Sequence, residues 1–151
     1  MRDRFSFSNS KRAAGGSGYG GLATLLVRVD SPSHTVLVID DDASIRLLCR
    51  LNLELDGWRV LEAASLDQAR RHLAETEVEV VVLDVHVGSG NGIEFLHELR
   101  RDRSGLKVAM LTGSDRLDEV DSDAVIPKPF TIEQLTATVA GLVARPAPKA
   151  G

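Results

Sequence analysis

The sequence predicts an α/β fold in which five parallel strands form a doubly wound sheet with helices on both faces. Two observations carry this prediction. From His34 onward, short apolar runs alternate with helical patterns, the mark of stacked strand-helix units. The first run, Thr35 to Ile39, consists only of β-branched residues and leucine, as expected of a strand buried on both sides. Size agrees with one such domain: the chain has 151 residues, of which 43% are hydrophobic and 26% charged, a soluble composition with some chain to spare.

Each element follows from local chemistry. Strand one, Thr35–Ile39, ends at three aspartates, Asp40 to Asp42. Helix one covers Ala43 to Asp56, with Ile45, Leu48, Leu51 or Asn52, and Leu55 expected on its inward stripe and Gly57 as its stop. Strand two is Trp58–Ala63. Ser65 to Gln68 has capping-box spacing and opens a helix to about Glu75. Strand three, Val78–Leu83, runs into Asp84. Asn91 caps the third helix, on which Ile93, Leu96 and Leu99 face inward. Strand four, Lys107–Leu111, is followed by Thr112, and a short strand five, Ala124–Ile126, ends near Lys128. Thr131 to Gln134 caps a last helix to about Ala144, which Pro146 and Pro148 stop.

Three segments follow: a flexible basic Gly/Ser-rich extension over 1–33, a domain over 34–145, and a tail over 146–151. The extension holds five of the thirteen glycines and carries a net +3, from Arg2, Arg4, Lys11, Arg12 and Arg28 against Asp3 and Asp30. The formal charge of -4 for the whole chain leaves -7 for the rest, which argues against nucleic-acid binding. Within the extension, Leu25 to Val29 could form a short strand. Cys49 is the one cysteine and cannot form an internal disulfide, which fits a reducing compartment, the cytoplasm by default. The apolar stretch Leu22–Val27 is shorter than a signal peptide or a membrane span requires, so no membrane association is expected.

In open parallel sheets, ligands bind at the carboxyl ends of the strands, where the strand order reverses. If the order is 2-1-3-4-5, one of the common doubly wound orders, strands one and three are neighbours, and Asp40, Asp41 and Asp84 would project into one small volume. Three carboxylates so placed repel by about 4 kcal/mol per pair at 4 Å and an effective dielectric near 20. A hard divalent cation relieves that repulsion, and Mg²⁺, which keeps several waters and accepts substrate phosphate oxygens, fits best. Thr112 and Lys128 lie at neighbouring strand ends and would hold the oxygens of a phosphoryl group carried by a carboxylate.

These residues resemble the receiver domains of two-component response regulators, which have a flavodoxin-like fold. The resemblance covers about 34–145 and rests on four motifs in order: Val36 to Asp42, Val80 to Asp84 with Gly92 eight positions on, Leu111-Thr112-Gly113, and Lys128-Pro129-Phe130. It implies that Asp84 is the phosphoacceptor and that Asp40, Asp41, Asp84 and the backbone carbonyl of His86 hold Mg²⁺. It further implies that Thr112 and Lys128 contact the phosphoryl oxygens, and that the Lys128-Pro129 bond is cis. The expected partners are a sensor histidine kinase or a histidine phosphotransfer protein, together with a downstream protein target. Since only Arg145–Gly151 follows the last helix, a stand-alone receiver acting by protein-protein contact is expected.

Departures from the common receiver pattern cluster away from the acceptor. Val87-Gly88 stands where Met-Pro is usual, which suggests a looser loop, and Gly113 replaces a small alanine. Val125 takes the place of the aromatic residue that usually reports phosphorylation. Only eleven residues, Gly113–Asp123, join strands four and five, so the helix between them, the family's helix 4, is expected to be short or missing. Two rival functions stay open: an interaction module indifferent to phosphorylation, and an Mg²⁺-dependent phosphohydrolase with Asp84 as nucleophile. Against the second, Asp84-Val85-His86 lacks the acid/base carboxylate two residues on that haloacid-dehalogenase-like phosphatases use.

Overall fold

A computed structural model describes residues 34–113 and 120–144. The expected extension over 1–33, with its possible strand at Leu25–Val29, and the tail over 146–151 lie outside the described residues. Five strands, β1 (Thr35–Ile39), β2 (Arg59–Ala63), β3 (Val80–Asp84), β4 (Lys107–Thr112) and β5 (Ala124–Pro127), form one parallel sheet in the order β2-β1-β3-β4-β5. Four helices accompany them: α1 (Ala43–Leu55), α2 (Leu66–Glu75), α3 (Gly92–Asp102) and α4 (Ile132–Ala144). The predicted doubly wound fold and its strand order are therefore observed. In the crossover Gly113–Asp123, Gly113 and residues 120–123 are not helical, and 114–119, on which the expected short helix falls, lie outside the described residues.

The alternation of side chains along the central strands explains why both faces need cover. On β1, Leu37 and Ile39 join Val81, Leu83, Phe95, Leu96 and Met110 in the core under α2 and α3. Val36 and Val38 face the other way, toward Cys49, Leu53, Trp58, Leu135 and Val139 under α1 and α4. Full burial of each such side chain stabilises the fold by about 1.5–3 kcal/mol relative to exposure. This two-sided burial is what the unbroken apolar run of β1 encodes.

Caps set where the helices begin. Ser65 Oγ accepts from Gln68 N at 3.1 Å, and the Gln68 amide oxygen accepts from Ala64 N. Asn91 Oδ1 accepts from both Ile93 N and Glu94 N. At α4, Thr131 and Gln134 exchange bonds reciprocally, the full capping box.

On α1 the expected inward stripe is wrong. Leu48, Leu51 and Leu55 are exposed, whereas Cys49 and Leu53 are fully buried, with Ile45 packed beside them. The helix carries two apolar stripes, and the one that includes Cys49 and Leu53 faces Val36, Val38 and Trp58. Asp42 fixes that phase by accepting from Ser44 N, while Arg46 Nη1 donates to the Asp40 carbonyl at 2.7 Å.

The loop after β3 is also tighter than expected. His86–Val87 and Gly90–Asn91 pair as a small antiparallel hairpin, Val87 is buried, and Gly88 turns the chain with φ of 60°. Gly88 thus serves as the turn residue of a defined hairpin, its positive φ costing a residue without Cβ little.

Candidate functional site

Parallel register carries Asp40, Asp84 and Thr112 to one edge. Ile39 pairs with Leu83, so Asp40 leaves β1 level with Asp84 at the end of β3, and Asp84 pairs with Leu111, one residue before Thr112. Thr112 pairs with Pro127, which places Lys128 just beyond β5. The three consecutive aspartates divide their work. Asp42 turns back to cap α1, while Asp40 and Asp41 remain with Asp84.

One carboxylate oxygen from each of Asp40, Asp41 and Asp84 lies within 4.8 Å of the others. Asp40 is fully buried, Asp84 nearly so, and Asp41 lies open to solvent. Asp40 Oδ1 accepts from Asp42 N at 2.9 Å, and Asp41 Oδ2 accepts from Gly88 N at 3.0 Å. The hairpin turn is therefore tied to the acidic cluster.

Lys128 reaches the same point from β5. Its Nζ lies 3.2 Å from Asp40 Oδ2 and 3.3 Å from Asp84 Oδ1, bridging the two carboxylates. Burial lifts the Asp40 carboxyl above its ordinary range and the Asp84 charge adds to this, only partly countered by the Asp42 amide and Lys128. For Lys128, burial disfavours the ammonium, but the attraction and hydrogen bonds of Asp40 and Asp84 outweigh it and raise its pKa. The site is charged and partly buried, and among the described residues the Lys128 ammonium faces the three carboxylates.

A cation bound through oxygen ligands suits this donor set. The residues expected at the site, Asp40, Asp41, Asp84, Thr112 and Lys128, all occur at this edge of the sheet. Thr112 is buried, and its carbonyl accepts from Lys128 N at 2.7 Å. His86 is exposed in the hairpin next to the cluster, and the Lys128-Pro129 bond is cis.

Two residues brace the site in ways the sequence reading did not assign: Gly92, quoted there only as a motif residue, and Arg46. Gly92 packs against the backbone at Asp84 and Val85 so closely that a Cβ there would overlap the Asp84 carbonyl oxygen. Arg46 ties α1 to the Asp40 carbonyl and to Glu62, 3.3 Å away. The Arg46 contacts join side chain to backbone across elements and leave no periodic trace. Gly92 left one: its position after an Asn cap hints at close approach.

Comparisons with known proteins give the same picture. The response regulator receiver domain family matches residues 36–140. The chain is 31% identical over 124 residues to the probable transcriptional regulatory protein TcrX of Mycobacterium tuberculosis, covering 78% of this chain and 53% of that protein. It is 35% identical over 108 residues to the KDP operon transcriptional regulatory protein KdpE of Escherichia coli, covering 68% and 48%. The chain thus spans about half the length of the curated relatives it matches. Among solved structures, the chemotaxis response regulator CheY4 of Vibrio cholerae superposes with a TM-score of 0.67 at 26% identity, covering 72% of this chain and 98% of that one. The receiver domain of the Francisella response regulator 1452 gives 0.69 at 26%, covering 74% and 98%.

Proposed function

This chain belongs to the response regulator receiver domain family, a family of phosphoacceptor signalling domains, and we propose that it accepts a phosphoryl group on Asp84 and signals or relays through protein-protein contact. Membership implies exchange with a histidine kinase. A sensor kinase or a histidine phosphotransfer protein is the proposed donor, and a separate protein the proposed target.

One observation supports the reading above the others: Lys128 Nζ bridges Asp84 Oδ1 and Asp40 Oδ2, beside a third carboxylate whose oxygen lies within 4.8 Å of theirs. Receivers typically bind Mg²⁺, and Asp40, Asp41, Asp84 and the carbonyl of His86 would hold it here. When bound, Mg²⁺ supplies positive charge to the oxygens of the transferring group.

In the proposed reaction an Asp84 oxygen attacks the phosphorus of a phosphohistidine. A P–O bond forms as the P–N bond breaks, the imidazole leaves with the electron pair, and Asp84 becomes an acyl phosphate. Lys128 turns its ammonium from the carboxylates to a phosphoryl oxygen, and the Thr112 hydroxyl donates to another. Hydrolysis follows when water attacks along the same line, so the domain is proposed to shed its phosphate unaided.

The proposed start of the receiver body at His34 is supported by the division of the chain between Ser33 and His34; the proposed flanking segments 1–33 and 146–151 lie outside the described residues. No helix among the described residues is long and apolar enough to cross a membrane, which supports the proposed cytoplasmic site of action.

Incubation with Mg²⁺ and acetyl phosphate tests the function. The parent is expected to gain the mass of one phosphoryl group and Asp84→Asn none. In Lys128→Ala, labelling is expected to persist while the phosphate-dependent change in backbone amide spectra is lost. Equal labelling of Asp84→Asn and the parent overturns the assignment.

A further inference from the structure

Asp41 differs from its two companions in how it is held. Asp40 is fully buried and bound by Lys128 Nζ and the Asp42 amide, and Asp84 is nearly buried and bound by Lys128. Asp41 is exposed, and among the described residues its carboxylate is held by the Gly88 amide, which donates to Oδ2 at 3.0 Å. We propose that Gly88 is a positioning residue for the cation site, its N–H holding the Asp41 carboxylate in place for a divalent cation. The proposal rests on the Mg²⁺ reading of the acidic cluster given above.

The hairpin can hold Asp41 because it is itself held elsewhere. Val87 is buried and packs in the core under α2 and α3. Gly90 lies against Leu66 of α2, whose Cδ1 would be 2.7 Å from a Cβ at 90. Asn91 caps α3. Between the paired residues Val87 and Gly90 the chain reverses over Gly88 and Ser89, and such two-residue turns call for a positive φ, which Gly88 supplies at 60°. The positive φ and the donated hydrogen are separate requirements, and proline could meet neither. A bond from an amide to a carboxylate is charge-assisted. It restrains an exposed side chain before the cation arrives, so less rotamer freedom is left to lose on binding. Partners that orient metal ligands in this way contribute about 10–100-fold in metal affinity, and an exposed bond belongs at the lower end.

Mg²⁺ titrations of the full chain, followed by backbone amide spectra without a phosphodonor, test the proposal. Gly88→Pro is expected to weaken Mg²⁺ binding about tenfold. Gly88→Asn, which keeps the N–H and tolerates a positive φ, is expected to stay within about threefold of the parent. In an Asp41→Ala background Gly88→Pro is expected to change the affinity less than about twofold, because the group through which it acts is gone. A hairpin that merely collapsed would lower the affinity in both backgrounds alike. Before any metal is added, the Gly88 amide proton is expected to move upfield in Asp41→Ala by more than the other hairpin amides, a readout that needs no variant at 88. Equal Mg²⁺ affinity in the parent and Gly88→Pro, an equal loss in both backgrounds, a loss in Gly88→Asn as large as in Gly88→Pro, or an unmoved Gly88 resonance would each overturn the positioning role and leave the Asp84 reading standing. A parent that binds no Mg²⁺ overturns the cation reading and the positioning role with it.

Discussion

Lys128 stands where its charge is needed and where it also competes. Its ammonium lies 3.2 Å from Asp40 and 3.3 Å from Asp84, so a divalent cation entering the cluster meets a positive charge already there. Replacing it by the apolar isostere, Lys128→Met, is expected to tighten Mg²⁺ binding about tenfold by calorimetry; unchanged or weaker binding contradicts the bridge. Asp40 carries the opposite consequence. Because burial and the Asp84 charge raise its pKa in the fold, ionising Asp40 weakens the folded state. The stabilisation it gives is full below its unfolded value of 3.8 and is lost as pH rises through the higher folded value. Asp40→Asn is therefore expected to raise thermal stability at neutral pH in chelator by about 1 kcal/mol, while the further rise that Mg²⁺ gives the parent disappears. In the parent, the affinity for Mg²⁺ is expected to fall as pH drops toward that raised pKa. A variant less stable than the parent in chelator contradicts the buried-charge penalty.

At the scale of elements, the site is held by contacts between segments as much as by the strands. α3 starts hard against the end of β3: Gly92 N donates to the Val85 carbonyl, and a Cβ at 92 would overlap the Asp84 oxygen. Gly92→Ala is expected to destabilise the fold by about 2–3 kcal/mol in urea unfolding and to slow phosphorylation of Asp84 by shifting its backbone; a neutral effect on both contradicts this packing. Arg100 of α3 does similar work on the far side, donating to the carbonyls of Leu106 and Asp121 and to the Asp123 carboxylate, which positions the start of β5 and so Lys128. These contacts explain which parts of the structure were legible in the sequence. β1 was readable because both its faces are buried, and the helix starts because each cap lies within three residues of its partner. The orientation of α1 was not, since Cys49 with Leu53 and Leu47 with Leu51 make equally regular stripes and only the surrounding core chooses between them. Nor was the ordered hairpin at Val87-Gly88, whose stability comes from pairing with Gly90–Asn91 and a bond to Asp41.

Over the whole molecule, residues 40, 41, 84, 112 and 128 meet because parallel strands all deliver their carboxyl ends to one edge. The gathering of these residues was therefore readable from strand ends, whereas the bracing that Gly92 and Arg46 give from the helices was not. Val125, exposed on β5 opposite Met110, stands where receivers usually carry an aromatic residue, so the proposed phosphorylated state would be read without that reporter. The most direct measurement is to map the acid-labile group after reaction with Mg²⁺ and a small phosphodonor, by fragmenting the reduced protein. Modification confined to Asp84, and dependent on Mg²⁺, is expected; a group found on a histidine, on Asp41, or on Asp84 equally in excess chelator would contradict an acceptor built from this acidic cluster and its lysine.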